Sequence, residues 1–289
     1  MNYPKSIDLH MHTAVSDGTD PPEEIVERVK SAGIDLFSVT DHDAIKGCGI
    51  VSSLLQDGDP AFITGAEFSC KDEEGQYHIL GYCYNPQAPS IRALVETGHG
   101  YRMSKLKKRL DYLKSEFGFT FSDEDITALE ALDNPGKPHV GNLMVQYGYA
   151  ATKEEAIGKY INGFHSKSEY VRPEDAITAI LASGGVPVLA HPAYGRGDEL
   201  ILGDDMDRRL RKLIGFGLGG VEAFYSGFSP KLIKETLSFA EKYKLFVTVG
   251  SDYHGKNKIV SLGDTNLPDA GDYPDGLRRF LDRVVGSGA

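Results

Sequence analysis

The stretch Ile7-Asp8-Leu9-His10-Met11-His12-Thr13 constrains this chain more than any other. In an extended strand, residues two apart project to one face, so His10 and His12 aim two imidazoles at a common point. An isolated His-x-His reads more simply as a pair of hydrogen-bonded core histidines. Six later groups change that reading: Ser16-Asp17-Gly18, Thr40-Asp41-His42-Asp43, Gly65-Ala66-Glu67, His78, Ala190-His191-Pro192 and Gly250-Ser251-Asp252-Tyr253-His254. Most of them stand at the C-terminal edge of an apolar, β-branched run.

Between these groups the chain alternates strand and helix. Asp20-Pro21-Pro22-Glu23-Glu24 opens a helix to Gly33, with proline in the first turn and carboxylates near the positive end of the dipole. Residues 35–40 and 61–68 read as buried strands around a helix over 44–55. Residues 76–82 follow a short acidic turn, so they pair antiparallel with the preceding strand as a hairpin. From residue 90 to 169 the pattern becomes helical: Leu94, Met103, Leu106, Leu110, Leu113 and Phe117 recur at helical spacing, and Thr152 to Glu155 has the form of a capping box. Lys105, Lys107, Lys108 and Arg109 read there as a solvated helix face rather than a nucleic-acid patch. Helices over 172–183, 210–216, 229–243 and 275–285 then alternate with strands over 186–190, 219–224 and 245–250. The expected architecture is α/β, a distorted (β/α)7 barrel formed by residues 1–89 and 170–289, with a helical insertion over 90–169. Ligand-type residues at the carboxyl ends of strands are what such a barrel produces.

A chain of 289 residues with 40% hydrophobic content can bury a large core. Cys48, Cys70 and Cys83 form no paired spacing, which argues against a disulfide framework or a zinc ribbon and makes them packing residues. No apolar span or secretory h-region is readable, so the expectation is a cytoplasmic enzyme with no membrane partner. A formal net charge of -11 opposes long nucleic acids, while a small phosphorylated substrate remains compatible if metals supply local positive charge.

His10, His12, Asp17, His42, Glu67, His78, His191, Asp252 and His254 make a mixed imidazole and carboxylate set without thiolate. Such donors suit Mn, Zn or Fe, and their number suits two or three divalent ions, with Mn foremost. Ions of this kind bridge a water, lower its pKa and clamp a phosphoryl group, so hydrolysis by a metal-bridging hydroxide needs no protein nucleophile. Glu67 is then central to the chemistry, and Asp17 or His254, if left unoccupied by a third metal, could protonate the leaving group.

The segments DLHMHTAVSDG, TDHD, GAEFS, HILGY, AHPAYG and GSDYHG resemble, in order, the motifs of the polymerase-and-histidinol-phosphatase (PHP) family of metal-dependent phosphoesterases. The resemblance implies a distorted seven-stranded barrel with three adjoining metal sites. Carried over by position, it implies a first ion on His10, His12, Glu67 and Asp252, a second on Glu67, His78 and His191, and a third on Asp17, His42 and His254. Lys137-Pro138-His139-Val140 resembles an Arg-Pro-His element of small members acting on nucleoside 3′,5′-bisphosphates or on RNA 5′ ends, with lysine lacking the fork of arginine. The stretch Glu222 to Ser229 lacks a histidine expected in nucleotide-directed members, which brings in phosphoribose cyclic phosphates as substrates. Histidinol phosphate, a non-catalytic binding barrel and hydrolysis of a C–N bond are the other readings.

Several residues carry secondary expectations. Lys137 offers positive charge to a phosphate, His139 contacts substrate or caps a helix, and Arg196 clamps a phosphate or pairs at the rim. Tyr225 and Ser226 face the same rim from a strand end. Asp41 and Asp43 hold the His42 ring or cap the helix that follows, and His99 and His165 read as surface residues.

Overall fold

The computed structural model of the chain describes residues 3–165, 170–195 and 199–285. Strand β1 (Ile7–Asp8) leads to helix α1 (Pro22–Ser31), which opens on proline and two glutamates and buries Ile25, Val26 and Val29 on one face, as its spacing predicts. β2 (Leu36–Phe37), α2 (Lys46–Leu54) and β3 (Ala61–Phe62) follow, then the antiparallel pair β4 (Gly65–Lys71) and β5 (Gln76–Tyr82). A long helix α3 (Pro89–Phe117) comes next, with α4 (Asp123–Glu130), α5 (Lys137–Gln146) and the short α6 (Lys153–Glu155) after it. The Thr152 hydroxyl accepts the Glu155 amide at 3.1 Å, the cap the sequence predicts. The remainder alternates: α7 (Pro173–Ala182), β6 (Val186–Leu189), α8 (Gly203–Phe216), β7 (Gly220–Tyr225), α9 (Pro230–Tyr243), β8 (Phe246–Gly250) and α10 (Asp275–Val285).

The fold is mixed α/β, and its strands form two sheets rather than one closed ring. β1, β2 and β3 make a parallel three-stranded sheet; β4 to β8 make a five-stranded one, antiparallel across β4-β5-β6 and parallel across β6-β7-β8. The expected strand over 61–68 divides for a physical reason. Ile63 N still bonds Phe37 O at 3.1 Å, whereas the next residue, Thr64, already accepts Cys83 N at 2.9 Å, so the chain changes sheets there. The expected strand over 7–13 likewise leaves its ladder after Asp8. Leu9 N then donates to Val249 O and His12 N to Tyr253 O, while Asp252 N donates to His10 O at 2.7 Å. A single bridge between His42 and Glu67 joins the sheets on the other side.

The main core packs Phe68, Ile79, Leu80, Tyr82, Val188 and Val221 of the larger sheet against Ile177 and Ile180 of α7, Leu210 and Leu213 of α8 and Phe280 of α10. Burying each large apolar side chain stabilises the fold by roughly 1.5–3 kcal/mol. A second cluster contains Leu106 and Leu113 of α3 with Leu129, Val140, Leu143 and Met144, so α3 belongs to one core at its start and another at its end. Among the described residues no helix is long and apolar enough to cross a membrane.

One buried carboxylate locks the start of the chain to its far end. Asp8 accepts Ser251 N at 2.9 Å, Ser251 Oγ at 2.6 Å, Gly263 N at 2.9 Å and His10 N at 3.3 Å. Asp8→Ala would leave these donors unpaired in a water-free place. A loss of about 2–4 kcal/mol is expected, seen as a lower urea midpoint with an unchanged slope.

Candidate metal centre

The strand ends deliver nine ligand-type side chains to one cluster. His10 and His12 leave β1, Asp17 lies on the following loop, His42 follows β2, Glu67 and His78 stand in the β4-β5 hairpin, His191 follows β6, and Asp252 and His254 follow β8. Glu67, 1% exposed, is the hub. Its Oε2 lies 3.3 Å from His10 Nε2, 3.1 Å from His12 Nε2 and 3.2 Å from His42 Nδ1; its Oε1 lies 2.8 Å from His78 Nδ1 and 3.4 Å from His191 Nε2. Asp252 Oδ1 faces His10 Nε2 at 3.5 Å, His12 Nε2 at 3.4 Å and His254 Nδ1 at 3.4 Å. Asp17 Oδ1 lies 3.2 Å from His254 Nε2, and its Oδ2 lies 4.0 Å from His42 Nε2.

The donor set fits divalent ions. His10 Nε2, His12 Nε2, Asp17 Oδ1, His78 Nδ1 and both Glu67 oxygens are buried without a hydrogen-bond partner, a costly state that a shared cation relieves. Three groups come close enough to hold an ion: His12, Asp17, His42 and His254; His10, His12 and Glu67; and His42, Glu67 and His78. These share most members with the sets the sequence resemblance implies, with His12 also near Asp17 and His42 also near Glu67.

The electrostatics of the cluster point the same way. Burial lowers the pKa of His10, but the Glu222, Glu67 and Asp252 carboxylates outweigh it and hold it well above its ordinary value. His12 is likewise held up at about 9, against burial, by Asp252 and Glu67. Burial raises the carboxylates, yet His42 and His254 keep Asp17 well below its usual range, His42 and His78 keep Glu67 there, and Lys258 and His10 keep Asp252 there. His42 moves the other way because burial dominates over Glu67 and Asp17. The cluster is an anionic centre that draws positive charge, from protons or from metal.

Residues around the centre hold it in place. Glu222, fully buried, receives His10 Nδ1 at 2.9 Å and the His191 amide at 2.9 Å. Its carboxylate stays close because Gly250 leaves room: a Cβ there would meet Glu222 Oε1 at 2.4 Å and His10 Cβ at 2.2 Å. The sequence reading missed Glu222, although its place near the end of an apolar strand is a usable signal. It also missed Lys258, which ion-pairs with Asp252. Tyr225 donates to Asp252 Oδ2 at 2.9 Å, and Ser226 donates to the Ser251 carbonyl at 2.7 Å. Asp43, His191 and Asp252 have left-handed backbones, with φ of 48°, 29° and 59°. Such strain at non-glycine residues is typical of sites where the surroundings dictate the side chain.

The expectations for Asp41, Asp43, Arg109 and His99 are corrected. Asp41 does not hold the His42 ring; it accepts Thr13 N, Thr13 Oγ1 and Ser16 Oγ, each at 2.7 Å, and so shapes the loop that carries Asp17. Asp43 pairs instead with Arg102 Nε at 2.6 Å and accepts the Ser69 amide at 3.0 Å. Arg109 is not on a solvated face: it is 7% exposed, whereas Lys107 and Lys108 of the same stretch are exposed. His139 Nδ1 accepts the Gly136 amide at 2.9 Å and caps α5, and Lys137 reaches Asn162 Oδ1 at 2.7 Å. His99 is half-buried rather than a plain surface residue, with its Nδ1 2.7 Å from the Asp133 carbonyl oxygen, while His165, exposed, lines a cavity beside the centre. Arg196 lies outside the described residues.

That cavity, about 780 Å³, opens from Asp17, His42 and His78 toward α3 and α5. A buried imidazole and carboxylate cluster opening onto such a space, within a mixed α/β fold, defines a metal-site protein of the hydrolase type. Residues 8–171 match the PHP domain model, and the chain belongs to that family. It is 30% identical to a phosphoribosyl 1,2-cyclic phosphate 1,2-diphosphodiesterase of Eggerthella lenta, over 86% of this chain and 94% of that one. It is 28% identical to a 5′-3′ exoribonuclease of Haemophilus influenzae, over 90% of this chain and 93% of that one. Among solved structures, a Bifidobacterium adolescentis protein classed as a metal-dependent phosphoesterase superposes with a TM-score of 0.80 at 28% identity, covering 98% of this chain and 100% of that one.

Glu222→Ala removes the partner of the His10 ring and of the His191 amide. Metal affinity is expected to fall by about 10–100-fold, measured by metal titration of the chelator-stripped protein. An unchanged affinity would mean that His10 is oriented by the strand alone.

Proposed function

We propose that this chain is a metal-dependent phosphoesterase that releases inorganic phosphate from a small phosphorylated substrate, a nucleoside 3′,5′-bisphosphate or a phosphoribose cyclic phosphate. The observation that carries the reading is the set of orphaned, buried donors around Glu67, which opens directly onto the large cavity. Membership of the PHP family and the names of the similar proteins support the reaction class. We read the two sheets and the single bridges between them as a distorted seven-stranded barrel over residues 1–89 and 170–289. The helices over 90–169 are read as an insertion covering the site.

Two or three divalent ions, Mn foremost and Zn or Fe otherwise, would be held by His10, His12, Glu67 and Asp252, by Glu67, His78 and His191, and by Asp17, His42 and His254. When bound, such ions supply positive charge to the phosphoryl oxygens and make water acidic enough to attack. The chain supplies the rest. Glu67 fixes the spacing of the centre because both of its oxygens face imidazoles. Where only two ions are bound and the third set is left open, Asp17 and His254, 3.2 Å apart, would form the pair from which the leaving oxygen takes its proton as the P–O bond breaks. Lys137 and His139, at the start of α5, face substrate from the insertion, and Arg196 is read as a rim clamp. Ser69, at the cavity wall, is held by Arg102 through a 2.9 Å hydrogen bond.

His12→Ala and Asp252→Ala are each expected to lose bound metal and to lower phosphate release by at least about a hundredfold. Metal content and phosphate release are measured on the same Mn-loaded sample, with adenosine 3′,5′-bisphosphate, a phosphoribosyl 1,2-cyclic phosphate and histidinol phosphate in parallel. Retention of both metal and turnover by the two variants would refute the proposal. A chelator should lower the melting temperature of the wild-type protein and added Mn should restore it; saturation at a hundred times the dissociation constant is worth about 2.7 kcal/mol.

A further inference from the structure

The cavity wall formed by α3 is cationic. α3 carries Arg102, Lys105 and Arg109 at i, i+3 and i+7, one face of a helix, and all three line the cavity. Asp17, at the metal end, is the only carboxylate among the described lining residues. Arg102 is occupied by Asp43 and Ser69, whereas Arg109 is not occupied in this way. Arg109 is 7% exposed, its Nε has no hydrogen-bond partner, and no carboxylate lies within ion-pair distance of it among the described residues. Its guanidinium lies 5.8 Å from the centre of the Phe164 ring, which also lines the cavity. Burial pulls its pKa down to about 10, so the side chain still carries its charge at neutral pH.

A buried guanidinium with an unused donor is costly, and an acidic chain with a net charge of -11 has carboxylates to spare for pairing it. The natural partner is therefore an anion brought by the ligand, and the planar fork of arginine suits a phosphate. Its position sets the spacing. Arg102 bonds Ser69 Oγ, which lies 3.5 Å from His42 Nδ1, so Arg102 stands beside the metal centre. Arg109 is seven residues farther along α3, a rise of about 10 Å, which is the span of a phosphorylated sugar.

We propose that Arg109 is a specificity-determining residue that binds a second phosphate of the substrate, one sugar unit away from the phosphoryl group that is hydrolysed. The inference rests on the phosphoesterase reading above and adds to it the residue that holds the second phosphate, which both of its candidate substrates carry. Lys105 and Lys137 flank the same space and add to its positive potential.

The test uses the full Mn-loaded chain and two substrate pairs that differ only in the second phosphate. One pair is adenosine 3′,5′-bisphosphate and adenosine 3′-monophosphate; the other is 5-phosphoribosyl 1,2-cyclic phosphate and ribose 1,2-cyclic phosphate. In at least one pair the wild-type protein should favour the doubly phosphorylated member by about tenfold or more in kcat/KM, chiefly through KM. Arg109→Met should collapse that ratio, and Arg109→Lys should keep part of it. The pair that responds distinguishes a nucleotide from a sugar phosphate. Equal activity on both members of each pair in the wild type overturns the inference and leaves the phosphoesterase reading standing. So does a ratio that Arg109→Met leaves intact, which assigns Arg109 to packing. If Arg109→Met fails to fold, the wild-type ratio and Arg109→Lys decide by the same criteria. Absence of turnover on every substrate, with Mn bound, overturns the phosphoesterase reading and this inference with it.

Discussion

A carboxylate removed from water has to be matched by positive charge, and Glu67 is the place where this chain meets that requirement. The residue is 1% exposed and faces five imidazoles, those of His10, His12, His42, His78 and His191. Desolvating an unpaired carboxylate is far more costly than any single hydrogen bond returns. The cluster therefore exists only because strands from both sheets end around it, each bringing one or two ring nitrogens. The raised pKa values of His10 and His12 and the depressed ones of Asp17, Glu67 and Asp252 express the same balance.

Buried acids behind the ligands keep them from relaxing toward one another. Asp8 fastens the exit of β1 to the exit of β8, Asp41 folds the loop that bears Asp17, and Glu222 sets the His10 ring and the His191 backbone. Each of these carboxylates accepts two or more hydrogen bonds. The left-handed backbones at Asp43, His191 and Asp252 fit this picture, since local strain persists where neighbouring bonds over-determine the geometry. Gly47 shows how tight the support is: a Cβ there would sit 2.0 Å from Asp41 Oδ2.

Helix α3 joins the two halves of the molecule. Ile91 and Leu94 near its start pack in the main core, while Leu106 and Leu113 pack in the second cluster with residues of α4 and α5. The same helix turns a basic row toward the cavity. In a chain whose overall charge is strongly negative, that row is a local field in a low-dielectric wall, where each charge acts more strongly than on an open surface.

Much of this was legible in the sequence because it depends on local period. The helices α1, α7, α9 and α10, the β4-β5 hairpin and the Thr152 cap follow from spacing, proline and turn residues. The nine ligand-type residues were legible as well, since imidazoles and carboxylates recur at the ends of apolar runs where a soluble core has no use for them. What the sequence could not decide was which groups would be partners. The division of the strands into two sheets depends on where the chain at Ile63 and Thr64 exchanges one hydrogen-bonding neighbour for another. The roles of Glu222 and Lys258, the turn of Asp41 away from His42, and the burial of Arg109 rest on contacts between residues far apart in the chain. Period and composition describe one element at a time; burial and pairing arise only when elements pack, so the tertiary structure alone decided them.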